Sequence, residues 1–515
     1  MKNTIYFSTI AAFLFFVILP LLTVVSGSFI KDGAFSAEYY INILNVSTFR
    51  LLLKSVIIAF SAALLATLSG GFFAFTLSKT NLPLRGFFKL FFLIPLFISP
   101  YIIAVSWVDF FILIGGGKDF IYSEFGVIFV LSIIYAPLAM IIISSGLSNL
   151  SAVYEEAALT VADYRRTLFK IIIPLIKPSI ISSFILIFVL SISEFSVPAF
   201  LSVNVLTTEI FTQFSAFYNY GAAVANSMIL IVISVSLLMA ERYYLADAPF
   251  LSVSAKSHRL KITALKKSTS FLLFFHFLYL FLSVLIPIIV LIIQAFYSGS
   301  SHFMKALSLL SLNIADSLIF AALGAAALLI FGFIFAYLAE REKVKSVNII
   351  LLITFGIPST VLGIGLIKFF NTSYFNFIYS GFWIIIIGYL GRFIFISEKL
   401  ISNAVKQVPL SFEESAELAG AGYLKRTGKI LIPLTANGLF AAFLISFIFS
   451  LGELGTTILL YPPGTSTLPI KVYTIMANAP QSLTSAMSLI VLLITLCALL
   501  ILYAGQKLFF KNKWS

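Results

Sequence analysis

The chain has 515 residues, of which 61% are hydrophobic and 10% charged, with a mean hydropathy of +1.09; a water-soluble globule of this length would not be so apolar, so the bilayer is its solvent. Its net charge of +13 could suit nucleic acid, but no soluble basic domain carries it, and the charges fall in loops between apolar runs, where they bear on topology. One cysteine, Cys497, lies in an apolar run and reads as a small buried hydrophobe, which excludes a disulfide framework or a cysteine metal site.

In chain order, Lys2 precedes an apolar run over residues 5–29 that could pass for a secretory signal. A run of similar character, 271–296 around Pro287, recurs where no signal could stand, so the first run reads as a retained span. Runs 51–77, 87–113 and 125–147 follow, each about long enough to cross a hydrocarbon core of roughly 30 Å. Pro95, Pro100 and Pro137 interrupt them. In a bundle such breaks are tolerated because neighbouring helices or water satisfy the freed carbonyls, either as packing kinks or beside a pathway. Gly115-Gly116-Gly117-Lys118 lacks the glycine spacing and the following Ser or Thr of a phosphate loop, and reads as a short exposed turn.

After a charged island near residues 154–174, apolar runs cover 179–203 and 223–245. Residues 247–268, with Lys256, Arg259, Lys261, Lys266 and Lys267, form a basic linker of the kind that faces anionic lipid. The second half repeats the order: 271–296, 314–337, 347–369, 377–396, a second island, 438–460 and 483–503. Ser55, Gly70, Phe73 and Ala74 recur as Ser317, Gly332, Phe335 and Ala336 at an offset of 262, and Pro174 recurs as Pro433 at 259. The expected fold is therefore an all-α integral membrane protein of about twelve transmembrane helices in two six-helix repeats, 1–246 and 269–515, joined by the linker 247–268. An even number of spans per repeat makes the repeats parallel and places both islands on one face. Of the 33 Lys and Arg residues, 25 lie in the termini and loops of that face and 7 at the opposite ends, with Arg392 inside a span. The positive-inside rule then puts both termini and both islands in the cytoplasm.

No catalytic constellation emerges. His258, His276 and His302 show no metal-ligand spacing, and no Ser-His-Asp order or paired catalytic carboxylates stand out, so the chain is not expected to hydrolyse ATP alone. The informative carboxylates are Glu194 and Glu453, each twenty residues after its island proline, hence roughly 30 Å along a helix and at one depth. A carboxylate inside a span usually faces the bundle or a water-filled cavity and marks a pathway; two together could form an anionic vestibule for a hard cation. The plainer reading is that each sits in interfacial water or caps a neighbouring helix.

The second island, from Glu413 and Glu414 to Pro433, is too polar to cross a bilayer. Carboxylates at Glu413 and Glu414 suit the first turn of a helix, Gly420-Ala421-Gly422 reads as a turn, and Lys425, Arg426 and Lys429 lead into Ile430, Ile432 and Pro433. The pattern of Glu414, Ser415, Ala416, Gly420, Ile430, Ile432 and Pro433 resembles the coupling loop of ABC-importer permeases. Glu156, Ala157, Ala158 and Pro174 carry a second copy, in which Ala162 stands where the family has glycine and the stretch to the proline is one residue shorter. The chain thus resembles two permease halves fused in one polypeptide, the transmembrane domain of a type I ABC importer. Segments 193–199, 452–457 and 461–473, the last opening on Tyr461-Pro462-Pro463-Gly464, resemble the fused permeases of ferric-iron importers more than thiamine or phosphonate relatives.

That resemblance implies a multi-pass protein of a bacterial inner membrane. It implies two copies of a cytoplasmic ABC ATPase subunit that bind ATP and Mg, an extracytoplasmic substrate-binding protein, and no cofactor or nucleic acid in this chain. It also implies alternating access, with Glu156–Ala162 and Glu414–Gly420 transmitting ATPase movement. An ion-gradient-driven secondary transporter would share repeats and broken helices but would not need the matched islands. A membrane scaffold without transport would need neither broken spans nor twin carboxylates.

Overall fold

The computed structural model describes residues 2–31, 34–43, 45–148, 150, 152–160, 163–244, 269–297 and 299–511. The linker 247–268 and Ala162 fall outside them. The described backbone is helical almost throughout, with one two-residue hairpin, Ile30–Lys31 paired antiparallel with Ala34–Phe35. Nine described helices are long and apolar enough to cross a membrane, or eleven if each of two bent pairs is one span. The remaining expected span is the helix Trp383–Lys406, which carries Arg392, Glu398 and Lys399 and so is less apolar than the others. It tolerates these charges because it is the central helix of its unit, buried along most of its length, with Lys399 Nζ 3.3 Å from the fully buried Glu398 carboxylate.

The repeat is visible in packing. Val46–Lys79 crosses Glu124–Ser148 where Gly70 lies against Ala136, Ala139 and Met140, and Ser301–Glu340 crosses Trp383–Lys406 where Gly332 lies against Ser397, Glu398 and Ile401. Two of the three positions touched, Ala136 with Glu398 and Ala139 with Ile401, are related by the same offset of 262 that relates Gly70 to Gly332. Small residues at such crossings let backbones approach in a membrane, where close packing rather than the hydrophobic effect drives association.

Prolines shape both halves in the same two ways. Pro20, Pro174, Pro287 and Pro433 each follow a wide π turn, Leu14–Ile18, Leu168–Ile172, Phe281–Leu285 and Thr427–Leu431. In each, the residue before the proline donates its N–H five residues back, as from Leu19 to the Leu14 carbonyl and from Ile432 to the Thr427 carbonyl. Proline lacks an N–H and its ring clashes with the carbonyl four residues earlier, and widening the turn relieves that clash without ending the helix. Pro137 instead stays inside Glu124–Ser148. The carbonyl it deprives of a partner, that of Ile133, accepts the Tyr279 hydroxyl at 2.9 Å. The third element of each repeat is broken outright: Arg85–Phe97 and Pro100–Leu113 meet at 97°, and Lys345–Gly356 and Ser359–Phe370 at 101°. The breaks fall at equivalent residues, Ile98 and Ile357, both extended.

The described chain packs as two compact units that cut across the sequence repeats. One comprises Met1–Phe49, Leu206–Val235 and Gln294–Ser515; the other comprises Arg50–Val205 and Ser236–Ile293. In the first unit, the opening helix of the chain packs on second-half elements. Phe13 meets Phe335 edge-on at 5.2 Å, and Phe15 meets Phe369 and Phe375. In the second unit, the opening span of the second repeat packs on first-half elements. There His276 is fully buried among Phe72, Phe73, Phe88 and Phe92. Its Nδ1 lies 2.7 Å from the Leu272 carbonyl, which can only accept, so Nδ1 carries the proton, and Nε2 is 3.0 Å from the Thr76 hydroxyl. The opening spans are thus exchanged between the halves.

Two expectations change. Cys497 is exposed rather than buried, on the same helix as the exposed Leu493, Leu500 and Ile501, an apolar surface for lipid to cover. The apolar runs 179–203 and 438–460 are not single spans. Helices Ile173–Ile192 and Ile432–Gly452 stop just before Glu194 and Glu453, and their first turns begin inside the charged islands.

Candidate functional site

The second island folds as Leu410–Leu418, a turn, Tyr423–Arg426 and the π segment leading to Pro433. Its first helix starts three residues before the carboxylates, after Pro409, because proline at a helix start loses nothing by its missing N–H. This earlier start changes the roles of the two acids. Glu413 points inward and is 2% exposed, whereas Glu414 and Ser415 are exposed and Ala416 is half-buried. Arg341 donates from Nε to Glu413 Oε1 at 2.7 Å and from Nη2 to the carbonyls of Val408 and Val405, while the Tyr337 hydroxyl donates to Glu413 Oε2 at 3.2 Å. The island is therefore riveted to the end of helix Ser301–Glu340 through a buried, multiply hydrogen-bonded ion pair. Residue spacing alone singled out neither Arg341 nor Glu413 for this role.

The turn after the helix depends on Gly420, whose φ is +80°. The Gly420 N–H donates to the Glu417 carbonyl and the Ala421 N–H to the Ala416 carbonyl, both at 2.9 Å, the paired bonds of a Schellman cap. Gly422 has an ordinary negative φ and is not required in the same way. Arg426 ties the two arms together by an ion pair with Glu417. Above the turn, Tyr423 packs edge-on against Tyr337 at 5.4 Å and Tyr6 at 5.8 Å, and Lys2 pairs with Glu342 at 2.5 Å. Outward, the first helix shows Leu410, Phe412 and Leu418 to solvent, the last 91% exposed. Three large apolar side chains are thus left exposed on an element too polar for lipid.

Because a Cβ at Gly420 would meet no atom within 4 Å, substitution there strains the backbone alone. Gly420→Val should cost roughly 1–2 kcal/mol of local stability, and Gly420→Asn less, since asparagine tolerates a positive φ. Partner ATPase stimulation should fall in that order, with the matching changes at Ala162 weaker still. Equal stimulation by all variants would show that the turn geometry is not used.

The first island has the same plan: Ala152–Leu159, Tyr164–Thr167, Leu168–Ile172 and the helix that carries Pro174 in its first turn. Glu156 and Ala157 are exposed and Ala158 is buried. The elements that start at Tyr164, Leu168 and Ile173 each start 259 residues before their counterparts at Tyr423, Thr427 and Ile432.

Glu194 and Glu453 lie in different units, each at the turn where its helix stops. Glu194 Oε1 accepts the Ser196 N–H at 2.9 Å and the Ser196 hydroxyl at 2.5 Å. Glu453 Oε1 accepts the Thr456 N–H at 2.6 Å and Oε2 the Thr457 N–H at 2.9 Å, with the residue 7% exposed. Each carboxylate thus caps the short helix after it, Ser196–Phe200 or Thr457–Leu460. Elsewhere, His302 Nδ1 is 2.7 Å from the Ser482 hydroxyl, and Gly115 and Gly117 take positive φ in the turn before Lys118. His258 lies outside the described residues.

Two helical repeats with broken third spans and matched islands on a common plan are the architecture of a transport permease rather than of an enzyme. The family model for the binding-protein-dependent transport system inner membrane component matches residues 64–244 and 329–512, more than half the chain, in two segments that fall one in each repeat. The chain belongs to that family, as a fused permease with both halves in one polypeptide. It is 23% identical over 482 residues to the putative ferric transport system permease protein FbpB 1 of Haemophilus influenzae, covering 87% of this chain and 76% of that protein. It is equally 23% identical over 484 residues to the ferric transport system permease protein FbpB of Actinobacillus pleuropneumoniae, covering 86% and 69%. A putative 2-aminoethylphosphonate transport system permease protein PhnV of Salmonella choleraesuis is 26% identical over 171 residues, which cover 32% of this chain and 63% of that protein.

Proposed function

We propose that this chain is the membrane subunit of an ATP-driven importer that carries ferric iron into the cytoplasm. The observation that carries this reading is the extent of likeness: relatives named for ferric transport align over nearly the whole chain, whereas the phosphonate relative aligns over a third. Import of a phosphonate, thiamine or another small solute by the same machinery is the alternative. Two copies of an ABC ATPase subunit would bind ATP and Mg and seat against the two islands, one at Glu156, Ala157, Ala158, Ala162 and Pro174, the other at Glu414, Ser415, Ala416, Gly420 and Pro433. A substrate-binding protein would dock on the opposite face. Both termini would then be cytoplasmic. Closure of the ATPase dimer would move the islands, and each would drive its rigid unit between two packings. The Glu413–Arg341 pair would make the second island and helix Ser301–Glu340 move together.

The test is uptake in proteoliposomes holding this chain with its ATPase subunits. Ferric-loaded binding protein on one side and ATP on the other should give accumulation that neither gives alone. Uptake driven by an ion gradient and indifferent to ATP would overturn the reading in favour of a secondary transporter, and accumulation of phosphonate but not iron would move the substrate.

Glu194 and Glu453 are proposed as pathway residues, each shaping its own turn through the capping bonds. Glu194→Gln and Glu453→Gln should each lower uptake at matched expression, and the losses should add, because the caps are separate. Losses that do not add would instead mark one shared anionic site. Wild-type uptake in the double variant would place the pathway elsewhere.

A further inference from the structure

Arg392 is a charge inside an apolar span that the reading above leaves unused. It lies near the middle of the central helix Trp383–Lys406 and is 9% exposed. Its Nη1 donates to the carbonyl of Ile357, the residue at the break of the bent span, at 3.1 Å. Two residues on, Ser359 abuts Gly455 closely enough that a Cβ there would lie 2.2 Å from the serine hydroxyl. The same Cβ would be 3.7 Å from Glu453 Oε1, so the break, the turn and Arg392 form one neighbourhood within the unit. Arg392 is also a cationic neighbour of Glu453.

The fold does not require an arginine here. The equivalent break in the other unit bends by 97° against 101°, and at the position 259 residues before Arg392 it has Ile133. The kink forms there with an apolar side chain, so bracing a bent helix does not explain a charge that is costly at this depth. Glu453 feels its charge but is not its bonded partner: the Glu453 oxygens accept the Thr456 and Thr457 N–H groups, and Arg392 donates instead to Ile357. A guanidinium presents five donors in a planar fork. One is spent on Ile357, and the nitrogens without a bond are not sealed in packing, because none is among the buried unpaired atoms. A fork with donors to spare, not bonded to the carboxylate beside it, selects for a planar or tetrahedral oxyanion, not for a bare cation.

We propose that Arg392 binds an oxyanion of carboxylate or phosphate type carried by the transported species. This rests on the importer reading and narrows its substrate: the ion passes the second half as an oxyanion complex, or the oxyanion passes in its own right. The proposal includes no covalent step.

The test uses the complete permease with its ATPase and binding protein in proteoliposomes, comparing wild type with Arg392→Gln and Arg392→Lys. The probes are ⁵⁵Fe-citrate, ⁵⁵Fe-loaded binding protein without added anion, and ³²P-phosphate without iron. The expected result is at least a tenfold loss of oxyanion-bearing uptake in R392Q. R392K, which keeps the charge and three donors on one nitrogen but not the planar fork, should recover only part of it, with the defect chiefly in KM. Binding-protein-stimulated ATP hydrolysis should stay within about twofold. Loss confined to ⁵⁵Fe-citrate identifies a metal-bound oxyanion, and loss of wild-type ³²P-phosphate uptake identifies a free one. The proposal is overturned by R392Q uptake within twofold of wild type, by an equal loss with and without added anion, or by full recovery in R392K, which a simple brace on Ile357 would show. Failure of the importer reading looks different: wild type itself would show no ATP-dependent uptake of any probe.

Discussion

Glu413→Ala should be the most damaging single change in the second island, more so than Glu414→Ala next to it. Removing the carboxylate leaves the Arg341 guanidinium, 10% exposed at its side chain, without its charge partner and the Tyr337 hydroxyl without its acceptor. Breaking a buried pair by deleting one partner typically costs about 3–5 kcal/mol, because the surviving charge is stranded. Arg341→Leu should be similarly harmful, and the double variant Arg341→Leu with Glu413→Leu should recover much of the stability, since no unpaired charge remains. Thermal unfolding of the purified permease, read together with ATPase stimulation, checks this. The double variant should be stable but poorly coupled, because the rivet between island and helix has gone. A Glu413→Ala protein as stable and as well coupled as wild type would refute the assignment.

The second large effect concerns helix crossing. A Cβ at Gly70 would lie 2.4 Å from the Ala136 carbonyl oxygen, 2.6 Å from the Ala139 Cβ and 2.8 Å from the Met140 nitrogen, so two of its three nearest neighbours are backbone atoms that cannot swing away. Gly70→Ala must separate the helices, at a cost of roughly 1–3 kcal/mol or more by analogy with overpacked cores. Gly71→Ala is the control, because its Cβ would meet only the flexible tip of Ile143 at 3.4 Å. A clear drop in unfolding temperature for the first and almost none for the second is expected; equal behaviour would mean the crossing is looser than described.

These two cases show where sequence reading reached and where it stopped. Gly70 and Gly332 stood out as repeats of each other, and the structure gives the reason in a shared helix crossing. The break near Pro100 is legible because proline chemistry is local, whereas the interruption expected at Pro137 is absent, its helix running unbroken with the freed carbonyl bonded to Tyr279. The inward role of Glu413 was not legible, since it depends on helix phase, and the phase shifted when the helix began at Leu410 instead of at the acids. The run 377–396 reads as a span, but the position of its helix, Trp383–Lys406, at the centre of a unit, which allows it Arg392, Glu398 and Lys399, is a property of packing. The capping bonds of Glu194 and Glu453 stood among the readings that spacing left open; spacing located both residues but could not say where their oxygens point. Least legible was the exchange of opening spans, because no pattern in residues 2–27 says which partners lie hundreds of residues downstream.

That exchange sets a schedule for biosynthesis. In its unit, the Pro20 backbone lies against Gly365, with the Pro20 carbonyl oxygen 2.9 Å from where a Cβ would be. The ribosome must therefore add some 345 residues before the first helix can meet the surface it was shaped for. At about 5–20 residues per second this is roughly 20–70 s during which Phe13, Phe15 and Phe16 face lipid or an insertase instead of their final neighbours. Residues 50–205 have a shorter but similar wait for the span around His276, so neither half can be completed until both have been made. A gene cut at the linker would produce two polypeptides that must find one another in the membrane before either core closes, which gives fusion into one chain a direct advantage in the yield of assembled protein.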